Sequence, residues 1–248
     1  MKPYLFLLGG HDLEMVEIRA LLEKHQLAYV DRQLAWGATW SDYQDIINEF
    51  DWESRHLVGI ELSGPKPEQA ILIDHHNELS AQPASIEQIT NLLGISLSRH
   101  QQLVAENDKG YIPAMRKWGA TEEEVQRIRR LDRKAQGITE KMERIAEADC
   151  RIKNYCSNVT IIKTKLTKFS PIVDRLQVSR LLIYNDSELT YYGDRSAELA
   201  QVFALEVAEG KAYYGGGANG FFGVARGWFS EEEIGQFVER ICTYFYTL

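Results

Sequence analysis

The chain has 248 residues, is 44% hydrophobic, and carries a formal net charge of −8. That length suits one large domain or two modest ones with a real core. The acidic balance argues against gripping long nucleic-acid duplexes through many phosphate contacts, and no apolar run approaches the roughly 20 residues of a membrane span.

The N-terminus, Met1-Lys2-Pro3-Tyr4, runs directly into an expected strand and shows no signal-peptide pattern. Cys150, Cys156 and Cys242 are odd in number and lack metal-type spacing, so they read as reduced thiols of a cytoplasmic protein.

Tyr4 to Leu8 is an apolar run ending in Gly9-Gly10 and the polar cluster His11-Asp12-Leu13-Glu14. Val16, Ile18, Leu21 and Leu22 then recur at near-helical spacing, predicting a helix to about His25. In an α/β sheet, ligands sit beyond the carboxyl ends of strands, which is where this cluster falls. Asp12 or Glu14 can equally serve as a cap for the helix. Leu27 to Val30 reads as a second strand. The aromatic stretch Leu34 to Tyr43, with Trp36 and Trp40, either packs between elements or stacks on a base, packing being the commoner use.

His56 to Leu62 reads as a third strand, with Glu61 near its end before Ser63-Gly64-Pro65. Glu61 there is either a site carboxylate or a turn former. Ala70-Ile71-Leu72-Ile73 is a short buried strand running into Asp74-His75-His76-Asn77. A carboxylate and two imidazoles at a strand end suit a divalent cation; the alternative is a turn that is simply polar. A helix follows to Leu93, with Ser85 as cap and Gln88 completing a capping box. Another covers Ser98 to Glu106 and leads into Asn107-Asp108-Lys109-Gly110-Tyr111, which as a bare tripeptide Asp-Lys-Gly is also a common turn.

Thr121 caps a long, charged, amphipathic helix expected to reach about Ala148, its charges marking a solvated face. Beyond Tyr155, strands are expected at Val159–Ile162, Arg180–Tyr184 and Leu189–Tyr192, the last two joined by a hairpin turn at 185–188. Helices are expected over Arg195–Glu209 and Glu231–Phe245. Between them lies the glycine-rich stretch Gly215-Gly216-Gly217-Ala218-Asn219-Gly220-Phe221-Phe222-Gly223, whose backbone amides can cradle phosphate oxygens.

Asp74-His75-His76 resembles the signature of the DHH phosphoesterases, two-domain and usually manganese-dependent enzymes. Asp12-Leu13-Glu14 resembles that family's first Asp-x-Asp pair, with glutamate in the second place and His11 beside it. Glu61 matches its bridging strand-end aspartate with one extra methylene. Asp108-Lys109-Gly110-Tyr111 is similar to its Asp-x-Gly-aromatic motif. Gly215 to Gly223 resembles the Gly-Gly-Gly-His-x-x-Ala-Ala-Gly loop of the DHH-associated domain, with Ala218 for the histidine and two phenylalanines for the alanines. The pieces stand in the family's order and span nearly the whole chain.

The resemblance implies an α/β fold: an N-terminal domain with a mainly parallel sheet flanked by helices, and a smaller α/β C-terminal domain joined by a long helix. It implies a DHH-like catalytic domain at 1–120, a connector helix at 121–154 and a substrate-binding domain at 155–248. His11, Asp12, Glu14, Glu61, His75 and Asp108 are then metal ligands, with Asp74 and His76 in catalytic places. Arg195, Gly215, Gly216, Gly217, Asn219, Gly220 and Phe221 contact substrate; the bland reading of Arg195 is a surface salt bridge. The implied cofactor is manganese, two ions, with magnesium or cobalt as substitutes. The implied activity is phosphodiester hydrolysis on a small nucleotide, cyclic nucleotide or short oligonucleotide. A single-strand exonuclease and a catalytically weak nucleotide-binding protein are the competing readings. No long duplex and no membrane partner is expected; a homodimer is compatible.

Overall fold

The structure, a computed structural model, describes residues 2–35, 37–76, 79, 81–215 and 220–246. The chain divides into two compact units, Met1–Gly137 and Ile138–Leu248. Among the described residues no helix is long and apolar enough to cross a membrane.

The first unit is an α/β layer structure. Its elements in chain order are β1 (Tyr4–Leu8), α1 (Leu13–Lys24), β2 (Ala28–Asp31), a 3-10 turn (Trp40–Tyr43), α2 (Gln44–Asn48), β3 (His56–Ile60), β4 (Ile71–Ile73), α3 (Ser85–Leu93), α4 (Arg99–Lys117) and α5 (Glu122–Ala135). The four strands run parallel in the order β2-β1-β3-β4. Parallel sheets are buried on both faces, and β1 reads that way. Phe6 and Leu8 pack with Met15, Ile18 and Leu22 of α1 and Ile86 and Ile89 of α3. Leu5 and Leu7 point the other way, into Trp40, Tyr43 and Leu57. The period-2 alternation of a strand thus serves two cores with one apolar run.

The strand order reverses between β1 and β3, because the chain steps outward to β2 and then returns to the other side. Such a switch point opens a crevice at the carboxyl ends of the strands. The close approach there is enforced by Gly9. A Cβ on it would collide with the backbone oxygens of Ile60 and Glu61, the latter at 2.7 Å. Trp40 and Tyr43 are fully buried core side chains, so these two aromatics pack between elements; Trp36 lies outside the described residues. The Tyr43 hydroxyl donates to the Leu8 carbonyl at 2.5 Å, at the end of β1.

Several boundaries differ from expectation. α3 is capped at Ala84, whose N–H donates to the Glu87 carboxylate at 2.9 Å, so Ser85 is the first helical residue and not the cap. α4 continues past Glu106, but it is two helices across a kink: Tyr111 has φ 62° and ψ −150°, and Pro113 follows. The long connector helix is also two helices. α5 stops at Ala135, Gly137 turns with φ 80°, and α6 (Glu140–Asp149) starts afresh with Thr139 as its N-cap.

The second unit contains α6, β5 (Asn154–Cys156), β6 (Val159–Lys163), α7 (Ser170–Leu176), β7 (Arg180–Tyr184), β8 (Leu189–Gly193), α8 (Ser196–Val202), α9 (Ala204–Ala208), β9 (Ala212–Gly215), β10 (Phe221–Val224) and α10 (Glu231–Tyr246). Its six strands lie in the order β5-β6-β7-β8-β10-β9, antiparallel except for β6 with β7. One face packs on α8 and α10 through Leu199, Phe203, Phe237 and Ile241. The fold class is therefore α/β, a mainly parallel sheet with helices plus a second mixed sheet. The helix expected over Arg195–Glu209 breaks at Phe203, which is fully buried and caps both α8 and α9.

Candidate metal centre

Each expected metal-site residue before Gly137 stands at or near the carboxyl end of the parallel sheet. β1 leads through Gly9-Gly10 to Asp12, the N-cap of α1, whose carboxylate accepts from Met15 N–H at 2.9 Å. The capping role is thus real. Glu14, one turn in, is buried, and its Oε1 accepts the N–H of Ile86 in the first turn of α3 at 2.9 Å. A carboxylate is favourable at that helix N-terminus. Glu61 leaves β3 with φ 53°, a left-handed conformation uncommon for a residue with a Cβ. Its N–H still donates to Ile73 of β4 at 2.8 Å, which pins the backbone while the side chain turns away. Asp108 comes from the α4 segment before the kink at Tyr111.

These groups meet at His75. Its Nε2 lies 2.5 Å from Asp108 Oδ2, 3.6 Å from Glu14 Oε2 and 3.8 Å from Glu61 Oε1. Ligand atoms of Glu61, His75, His76 and Asp108 all fall within 4.8 Å of one another. Donors about 2.1 Å from a common cation lie roughly 3–4 Å apart, so the spacing suits one. His76 is held by Asp74, its Nδ1 and its backbone N–H both 2.9 Å from Asp74 Oδ1. Asp74 thus orients His76 rather than His75, leaving the His76 Nε2 for other work. His11 is exposed and outside the converging group, and Asp12 borders it.

The electrostatics describe a site short of positive charge. Burial, then the Asp108 charge, raises the Asp12 carboxyl to about 6. The same two causes lift Glu14 well above the usual carboxylate range. Burial, then Glu14 and Asp12, does this to Glu61. Burial opposes charging His75, yet Asp108 and the other acids prevail and its pKa rises. The hydrogen bond that His76 makes to the Asp74 carboxylate raises its pKa, and the bonds Asp74 accepts from His76 outweigh burial to lower Asp74.

Glu14 Oε2, Glu61 Oε1, His75 Nε2 and Asp108 Oδ2 are all buried, and the three carboxylate oxygens share the one imidazole nitrogen as their polar neighbour. Burying several carboxylates around a single donor is costly unless a cation compensates them. Three carboxylate oxygens and an imidazole nitrogen turned on one point are a hard-cation donor set. The residues therefore fit a divalent metal.

The substrate-side expectations fare differently. Gly216, Gly217 and Asn219 lie outside the described residues. Gly215 and Phe221 are strand partners across β9 and β10, not loop residues, and Gly220 O accepts from Gly193 N–H at 2.9 Å. The Arg195 guanidinium is engaged by Glu198 at 2.9 and 2.7 Å, the surface ion pair that was its bland reading.

Four residues escape sequence reasoning. Gln88 Nε2 donates to the Asp74 carbonyl at 2.9 Å, tying α3 to the end of β4, and no local pattern announces it. Arg129, Asp132 and Arg133 are buried on what reads as a solvated charged helix.

No family model and no curated protein matches the sequence. Among solved structures, a DHH domain described as a member of the S1p family of ribosomal proteins aligns at TM-score 0.51 and 10% identity, covering 96% of this chain and 85% of that one. Exonuclease RecJ bound to manganese aligns at TM-score 0.43 and 10% identity, covering 99% of this chain and 90% of that one. RecJ from Thermus thermophilus in complex with Mn2+ aligns at TM-score 0.41 and 10% identity, over 99% of this chain and 52% of that one. The likeness is one of fold: this chain has the fold of a DHH domain.

Proposed function

We propose that this chain, built on the DHH fold, is a manganese-dependent phosphodiesterase acting on short oligonucleotides or cyclic nucleotides. The observation that carries the reading is the convergence of buried Glu14, Glu61, His75 and Asp108 side chains from four separate elements at the sheet's switch point. Glu61, His75 and Asp108 would hold the metal, with Asp12 and Glu14 beside them as the acids a second ion would draw on. When bound, such ions supply Lewis-acid polarisation of a phosphoryl oxygen and a water that ionises near neutral pH.

His76 is fixed through Nδ1 by Asp74, and that hydrogen bond raises its pKa, which favours the charged imidazole. It is suited to hydrogen-bond a phosphate oxygen or to protonate the leaving alkoxide. Glu14 and Glu61 also exclude water from the cluster through their burial. The net charge of −8 favours a small substrate over a long strand.

The test is turnover by metal-stripped protein on restoring Mn2+, across dinucleotides, cyclic dinucleotides, bisphosphorylated adenosine and pyrophosphate. Hydrolysis of a nucleotide diester is expected, and His75→Ala should abolish it while circular dichroism and melting stay close to wild type. A wild-type protein that retains no manganese and turns over none of the panel, or an active His75→Ala, would overturn the assignment.

A further inference from the structure

Arg129 and Asp132 sit one turn apart on α5, each with 4% of its surface exposed. Arg129 Nη1 donates to Asp132 Oδ2 at 2.6 Å and to Asn107 Oδ1 at 2.8 Å. Its guanidinium lies 4.0 Å over the Tyr111 ring. Asp132 Oδ2 also accepts from Gln136 Nε2 at 3.0 Å, and its Oδ1 receives the Leu13 N–H at 3.4 Å.

The targets matter more than the pair. Leu13 stands between Asp12 and Glu14, and its N–H is one of the amides at the start of α1 that the helix itself cannot satisfy. Asn107 immediately precedes Asp108. Tyr111 holds the positive φ that breaks α4 just after Asp108, a conformation that a residue with a side chain keeps only where its surroundings impose it. One buried ion pair thus grips the backbone or a flanking side chain on both sides of the metal centre.

Burying an ion pair is expensive and is often no better for stability than apolar packing. What it supplies here is fixed separation. The groups it separates, Asp12 and Glu14 on one side and Asp108 on the other, are all carboxylates of like charge. Free to relax, α1 and the kinked α4 would drift apart.

We infer that Arg129 and Asp132 are positioning residues that hold the acids of α1 at metal-binding distance from Asp108 before any metal arrives. This rests on the metal reading above. Partners behind a ligand shell commonly change metal affinity by about 10–100-fold.

Calorimetric titration of the metal-stripped full chain with Mn2+ tests it, comparing wild type, Arg129→Met, Asp132→Asn and Val125→Ala. Val125 is buried on the same helix with its side chain in the apolar cluster of α4, α5 and Leu13 of α1, makes no polar contact to the site, and serves as a control for lost packing. Arg129→Met and Asp132→Asn should each weaken Mn2+ binding about tenfold or more, with activity recovering at saturating Mn2+. Val125→Ala should stay within twofold even at a matched loss of Tm. If Arg129→Met does not fold, Asp132→Asn, nearly identical in shape, decides alone. Unchanged affinity in the folded variants, or an equal loss in Val125→Ala, overturns the inference and leaves the metal reading intact. A wild type that binds no Mn2+ overturns both.

Discussion

Asp12 sets stability against function. Its carboxylate caps α1, yet burial and the Asp108 charge raise its pKa from 3.8 to about 6. A shift of that size corresponds to about 3 kcal/mol. In the metal-free protein the folded state keeps a proton that the unfolded chain has already lost. Stability is therefore greatest at low pH and falls as pH rises from the unfolded value through about 6.

Asn at this position keeps a good N-cap oxygen and cannot ionise. In EDTA at pH 7.5, Asp12→Asn should be more stable than wild type by up to about 3 kcal/mol. For a unit of this size that is roughly 10 °C in Tm. At pH 4.5 the gain should vanish. Glu14 and Glu61, raised mainly by burial, and the raised His75 and His76 slope the same way, so the variant retains part of the wild-type pH dependence. Thermal melts of both proteins across pH 4.5 to 8, with and without Mn2+, measure this directly. Added Mn2+ should stabilise wild type far more than the variant. A variant no more stable than wild type at pH 7.5, or one with the same gain at pH 4.5, would refute the electrostatic reasoning.

Glu61→Gln removes one anionic donor and should lower manganese stoichiometry by elemental analysis; unchanged content would make Glu61 a turn residue only. Tyr43→Phe deletes the hydroxyl that donates to the Leu8 carbonyl and leaves that buried acceptor without this partner. It should cost about 1–3 kcal/mol in denaturant titrations, and a loss within error would show that another group takes over the carbonyl.

The strand ends were the readable part. An apolar run stopping at Asp12-Leu13-Glu14, at Glu61 or at Asp74-His75-His76 carries its own sign, because a parallel strand buried on both faces has nowhere but its end for a charge. What sequence concealed was tertiary. Arg129 and Asp132 look like any exposed pair three apart on a charged helix, and only the packing of α5 against α1 and α4 buries them. Gly137 was hidden in a run of good helix formers. The glycines at 215 and 220 read as loop, yet the aromatic residues beside them pair as strands β9 and β10, since antiparallel neighbours supply the partners that local composition does not advertise. Asp74 adjoins both histidines in sequence, and local geometry alone decides that it grips His76.

Gly9 carries no charge and touches no proposed ligand side chain, yet the gap between β1 and β3 closes on it so tightly that a single methyl would meet the carbonyl oxygens of Ile60 and Glu61. Such a methyl would act as a wedge beneath the crevice, levering the Glu61 backbone away with every acid and imidazole still present in the sequence. The chemistry of the centre therefore hangs on a position with no chemistry of its own, and a mutational survey confined to ionisable residues would pass over it.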